Sequence, residues 1–208
     1  ITAVGAYAFA IAIAPLFAVV AIGLRGSLRT EPGPPAHWRE ITQNFGWLLL
    51  GTACAAVLLN AGPIAANILA SENEADAVTR FSYGVLLARV PLFMFQAIQA
   101  SLLPRLARLA AQRSFDEFRR GLRLLVIVVA GIGVAGTIFG ALLGPWTLRL
   151  VYDADLGGRT LAMLALSSAL YMMALAVSQA VLALEDHAYV ALGWVISLIT
   201  FVIGTWLS

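Results

Sequence analysis

Six apolar segments, each about 20 residues or longer, constrain this 208-residue chain more than any other feature. They run over Ala3–Leu24, Phe45–Ala70, Phe81–Leu103, Leu124–Gly144, Leu161–Leu184 and Tyr189–Leu207. A helix needs about 20 mostly apolar residues to cross a hydrocarbon core about 30 Å thick, because it rises about 1.5 Å per residue. No segment alternates apolar and polar residues with the period of two that a transmembrane barrel demands. A helix also satisfies its own backbone groups, as lipid requires. The pattern predicts an all-α, polytopic bundle of six transmembrane helices forming a single membrane domain over 1–208. Composition supports this. The chain is 61% hydrophobic and 12% charged, with a mean hydropathy of +0.90, where a soluble domain carries about 25% charged residues. So few charges cannot cover a water-facing surface. The lipid bilayer is therefore an expected partner, and nucleic acid is not, because the net charge is only +2. The single cysteine, Cys54, excludes an intrachain disulfide.

The basic residues give an orientation. All are arginine. Arg25, Arg29 and Arg39 fall in 25–44, and Arg105, Arg108, Arg113, Arg119, Arg120 and Arg123 fall in 104–123. The opposite loops carry only Arg80, Arg149 and Arg159. Arginine excess marks the cytoplasmic side, so 25–44 and 104–123 are expected inside and Ile1 outside. The chain opens at Ile1, within an apolar run and without a signal-peptide pattern, which suggests an internal piece of a longer protein.

Ser114 and Glu117 have capping-box spacing, and Phe115, Phe118 and Leu122 then share a helical face. The basic, amphipathic cytoplasmic loop 104–123 is thus expected to contain a short amphipathic helix that runs into the fourth span. Its arginines are either plain positive-inside anchors or contacts for anionic headgroups.

Polar groups inside lipid are expensive and are functional candidates by default. Arg89 leads them. Gln96 and Gln99 follow it at helical spacing, Ser82 precedes it on the same stripe, and Pro91 should kink the helix beside it. This stripe either faces a water-filled cavity able to hold a phosphate, or lets Arg89 snorkel to the headgroups while the glutamines tie helices together. Asn60 and Asn67 share a face of the second span, separated by Gly62-Pro63, which suits a lined cavity, a hinge or interhelical bonding. Ser167, Tyr171 and Ser178 give a weaker pattern, since hydroxyls in membrane helices often bond their own backbone. Gly136, Gly140 and Gly144 form two G-x-x-x-G steps, a helix-packing stripe whose partner is not legible, and Gly144-Pro145 should end that helix.

Catalytic chemistry is sparse, and no enzyme, cofactor or metal site is expected. The H-E-x-x-H, Walker A and G-x-S-x-G patterns are all missing, and only His37 and His187 occur. Asp153 and Asp155, beside Gly157-Gly158, are read as a solvated turn.

The order of these features resembles a known family. A span with an asparagine precedes one with Arg89-Val90-Pro91. Then come Ala100-Ser-Leu-Leu-Pro104-Arg-Leu-Ala-Arg-Leu, the basic Phe115-Asp-Glu-Phe118 stretch, and Gly144-Pro145-Trp-Thr-Leu-Arg-Leu-Val-Tyr152. This is similar to the multidrug/oligosaccharidyl-lipid/polysaccharide flippase superfamily, in its polysaccharide-transporter (O-antigen-type flippase) branch. Asp153 stands where that branch usually has glycine. The likeness covers about residues 40–205. It implies a two-lobe transporter of which this chain supplies a part, the remainder of the same protein being a partner. It also implies alternating-access flipping of a lipid-linked glycan of polyprenyl pyrophosphate type across the bacterial cytoplasmic membrane. On that reading Arg89 receives the pyrophosphate, with Asn60, Asn67, Gln96 and Gln99 as a hydrogen-bonding wall. The rivals are a cation-coupled multidrug exporter, which would want a carboxylate within a span, a non-transporting scaffold for glycan assembly, and a membrane glycan enzyme using Asp153 and Asp155.

Overall fold

The computed structural model describes residues 38–207. The first expected span, 3–24, lies outside the described residues, as does the basic stretch through Arg25 and Arg29. The chain divides into two units, Ile1–Ile41 and Thr42–Ser208. The described part of the first is the opening of a helix, and the second is a helical bundle.

Seven α-helices occur among the described residues: α1 (Trp38–Leu69), α2 (Ala75–Ala88), α3 (Val90–Ala111), α4 (Phe115–Leu142), α5 (Gly144–Tyr152), α6 (Gly158–Leu182) and α7 (His187–Leu207), with a 3₁₀ turn at Glu72–Glu74 before α2. No strand occurs among the described residues. Five stretches are long and apolar enough to cross a membrane: Thr42–Leu69, Ala75–Gln96, Phe115–Leu142, Gly158–Leu182 and His187–Leu207. This is an all-α, multi-pass membrane architecture. Its outward surface agrees, since large apolar side chains such as Leu142, Leu170 and Ile196 are exposed while no polar side chain is fully buried among the described residues.

Several boundaries differ from the sequence reading, each for a physical reason. The third expected span, Phe81–Leu103, overlaps an apolar helical stretch that runs over Ala75–Gln96 among the described residues and so starts earlier. Its helix starts early because the Ser71 backbone N–H and hydroxyl both donate to the Glu74 carboxylate, at 2.9 Å each, and cap the turn before α2. Residues 104–123 are mostly helical, and the short helix expected to run into the fourth span is the start of α4. α3 continues to Ala111 with Pro104 inside it, and α4 starts at Phe115. The turn between them is a Schellman motif: Arg113 takes a positive φ of 56°, its N–H bonds Ala110 O at 2.9 Å, and the Ser114 N–H bonds Leu109 O at 3.0 Å. That bond explains why the expected Ser114–Glu117 capping box does not form. The backbone donor that Glu117 would reach is already taken, and Ser114 makes no side-chain cap bond. The expected outer loop 145–160 contains α5, with Pro145 in its first turn where a missing N–H is harmless.

The core explains which faces turn inward. Leu92 and Phe95 of α3, Phe118, Leu125 and Val129 of α4, and Met172, Ala176 and Ala180 of α6 pack together. Phe118 and Leu122 of the expected face join this cluster, whereas Phe115 is exposed. The most extensive helix pair is α4 with α6. Glycine makes it possible. A Cβ on Gly133 would lie 2.6 Å from Ala169 Cβ, and one on Gly140 would lie 3.0 Å from the Leu161 carbonyl oxygen. Gly144 also faces Leu161, whereas Gly136 faces Pro91 of α3. The partner of the glycine stripe is thus within this chain, and the stripe divides between two helices.

Candidate functional site

The site begins with a missing donor. Pro63 lies inside α1 and has no N–H, so the Leu59 carbonyl one turn earlier has no helical partner. The Arg89 guanidinium supplies one. Its Nη2 donates to Leu59 O, and both terminal nitrogens reach Asn60 Oδ1 at 3.4 Å. The Asn60 amide donates in turn to Ala56 O at 2.9 Å, which fixes its oxygen toward the arginine.

Arg89 is placed by a second proline. It stands at the break between α2 and α3, with φ −85° and ψ −10°, two residues before Pro91. The chain stays near helical there, since the Arg89 N–H bonds Val85 O at 3.1 Å and the Phe93 N–H bonds Arg89 O at 3.2 Å. The missing hydrogen bond at Pro63 of α1 and the break between α2 and α3 therefore meet through one side chain. Tyr171 of α6 adds a further tie, its hydroxyl donating to Ala55 O of α1 at 3.0 Å. The accepting carbonyls, Ala55 and Leu59, are one turn apart on the same face of α1. The Tyr171 ring also meets Trp194 of α7, with centroids 5.4 Å apart.

Leu59, Arg89, Tyr171 and Trp194 line a cleft of about 400 Å³ between α1, α2, α6 and α7. Its walls include Leu59, Pro63, Phe81, Arg89, Tyr171 and Trp194, with hydroxyls from Ser167, Ser168 and Ser197. Ser167 and Ser197 donate to their own helix carbonyls, Leu164 O and Gly193 O, as hydroxyls in lipid often do. The cleft is mainly apolar, and Arg89 is the charged residue on its wall. Among the described residues no carboxylate forms an ion pair with Arg89. All its hydrogen-bond partners are neutral oxygens.

Arg89 and Asn60 thus come together. Asn67 donates to Pro63 O at 2.8 Å, within its own helix. Of the expected polar wall, neither Asn60 nor Asn67, nor Gln96, Gln99 or Ser82, is on the cleft wall. Gln96 is exposed and Gln99 is half-buried, both on α3 beyond Pro91. The Leu59 carbonyl, Ser168, Ser197 and Trp194 were not singled out from sequence. The rule that proline orphans the carbonyl four residues earlier identifies the first; the others have no local signal. At the far end, the expected acidic pair divides. Asp155 pairs with Arg149, and Asp153 caps α5 with a positive φ of 49°.

Relatives carry this arrangement no further toward an activity. The chain is 30% identical to the uncharacterized protein Rv1510 of Mycobacterium tuberculosis strain H37Rv, over an alignment of 219 positions, gaps included, that covers 89% of the chain. It matches the uncharacterized protein MT1558/MT1560 of strain CDC 1551 to the same extent. The chain spans about half the length of these curated relatives, 47% of each. No family model matches the chain. No solved structure matches it.

Proposed function

We propose that the protein containing this chain is a membrane transporter that flips a lipid-linked oligosaccharide or polysaccharide precursor across the cytoplasmic membrane by alternating access. One observation carries the reading: Arg89 holds a positive charge on the wall of an apolar cleft, inside a span, with only neutral oxygens as partners. A charge within a span is ordinarily paired, or it marks a substrate or ion path. A guanidinium bonded only to carbonyl and amide oxygens keeps its full charge for an incoming anion. Its planar fork suits phosphate oxygens in particular. The pyrophosphate of a lipid-linked glycan fits this chemistry, while its lipid tail remains in the bilayer. Pro63, inside α1 and on the cleft wall, adds support, since proline within a span is a pointer to transporter binding sites.

The test is the sidedness of lipid-linked oligosaccharide in cells depleted of the full-length protein. Build-up on the cytoplasmic leaflet, reversed by the wild type and not by Arg89→Ala, is the expected result. Unchanged sidedness on depletion rejects the flippase reading.

A further inference from the structure

A second cationic feature lies at the other end of the α3 helix, away from the cleft. The last turns of α3 and the first turns of α4 enclose a groove of about 500 Å³. Arg105, Glu117 and Arg120 stand on its wall together with Leu109, Leu124 and Val128. Both arginines are exposed, and among the described residues neither forms an ion pair. Two guanidiniums against one carboxylate leave one net positive charge, which matches the single negative charge of a phosphodiester.

The apolar part of the groove runs the right way for a lipid. Leu124 and Val128 follow Arg120 at four-residue spacing, so they continue along one face of α4 into its membrane span. From Arg120 to Val128 the helix rises about 12 Å, at about 1.5 Å per residue. A phosphate held at Arg105 and Arg120 would therefore lay an acyl chain along Leu124 and Val128. Gly121 lies between these parts, and a Cβ there would sit 3.3 Å from Leu106 Cδ2, so the two helices are already close at the groove's floor. Arg119 and Arg123 belong to the same helix but do not line the groove.

We infer that this groove is a binding site for the phosphate of an anionic membrane phospholipid, gripped by Arg105 and Arg120 with an acyl chain against Leu124 and Val128. Basic pockets between transmembrane helices on the arginine-rich side recognise such headgroups. The site stands independently of the transport reading.

The experiment measures phosphatidylglycerol and phosphatidylcholine retained by the purified full-length protein, using native mass spectrometry and vesicle titration. The expected result is preferential retention of phosphatidylglycerol. It should weaken about 10- to 30-fold in R105Q/R120Q, at about 1 kcal/mol per arginine, and hold in R119Q/R123Q, which removes the same charge outside the groove. Equal binding of the two lipids, or equal weakening by the two double variants, overturns the proposal. Inorganic phosphate competing as strongly as the lipid would assign the groove to a soluble anion and overturn the lipid assignment. A photoreactive phosphatidylglycerol gives an independent reading on unmutated protein. Labelling at Leu124 or Val128 supports the site, and labelling confined to other helices overturns it.

Discussion

The Arg89 guanidinium donates to the Leu59 carbonyl, the group that Pro63 leaves without a helical partner. Inside lipid no water replaces that bond, so the arginine completes the backbone of another helix. Arg89→Ala should therefore destabilise the folded protein by about 1–2 kcal/mol. Pro63→Ala restores an N–H in α1 and gives Leu59 its own helical donor. In that background the same arginine substitution should be nearly silent. Thermal or denaturant unfolding of the four variants in detergent reads the coupling directly, and equal losses in both backgrounds would refute the tie.

Charge and hydrogen bonding at Arg89 are separable. Arg89→Gln keeps a donor for Leu59 O but removes the charge, so the fold should be retained while transport of an anionic lipid-linked substrate falls by tenfold or more, on the order of 1.4 kcal/mol. Arg89→Lys keeps the charge and gives up the fork that reaches Leu59 and Asn60 together, and should hold intermediate activity. Transport assays in proteoliposomes decide this. Wild-type transport by Arg89→Gln would confine the residue to the structural role.

How much of this was legible in the sequence depended on the range of the interaction. The spans follow from local apolar runs, and five of the six expected ones correspond to helices of sufficient length among the described residues. Arg89 was legible because arginine is rare inside apolar runs. Its partner was not, since the contact crosses 30 positions and the acceptor is a backbone carbonyl with no side-chain signature. The glutamine wall was extrapolated from helical spacing across the break at Arg89, where α2 gives way to α3, and neither Gln96 nor Gln99 is on the cleft wall. The Ser114–Glu117 motif had correct spacing but lost its backbone donor to the preceding turn. The glycine stripe named its residues well but hid both the division between α6 and Pro91 and the contribution of Gly133.

That division yields a graded prediction for α4. A methyl on Gly140 meets the Leu161 backbone, which cannot rotate away, and one on Gly133 meets Ala169. Either alanine substitution should destabilise by about 1–3 kcal/mol through overpacking. Gly136→Ala meets only Pro91 Cγ at 3.4 Å, an ordinary contact, and should be tolerated. Gly131 has nothing within 4 Å, so its alanine variant should be neutral or stabilising by up to about 1 kcal/mol from helix propensity alone. Melting temperatures of the four variants test the order, and a uniform response would reject this packing.

Asp153 ends α5 in the left-handed region, at φ 49° and ψ 38°. Aspartate tolerates that region better than most side chains, but glycine enters it freely. Asp153→Gly should therefore leave stability unchanged or raise it by up to about 1 kcal/mol. Asp153→Val, with a branched Cβ, should lower it. The α5 end would have a different geometry if both variants melted alike.

The cap at Ser71 and Glu74 gives a pH dependence with a definite sign. The Ser71 backbone N–H, and then its hydroxyl, hold the Glu74 carboxyl below its usual range, because both donate to the charged form. A carboxylate with a lowered folded-state pKa contributes stability above its ordinary unfolded value, and that contribution is lost as pH falls through the lowered folded value. Glu74 is fully exposed, so the effect is local to the turn and the start of α2. Hydrogen exchange at the backbone amide of Ser71 should be slow at neutral pH. After correction for intrinsic exchange, protection should fall as the solution is acidified past the ordinary carboxylate range. In Glu74→Gln the pH dependence should vanish, because the side chain no longer titrates. Protection that stays constant across that range in the wild type would show that Glu74 does not hold the turn.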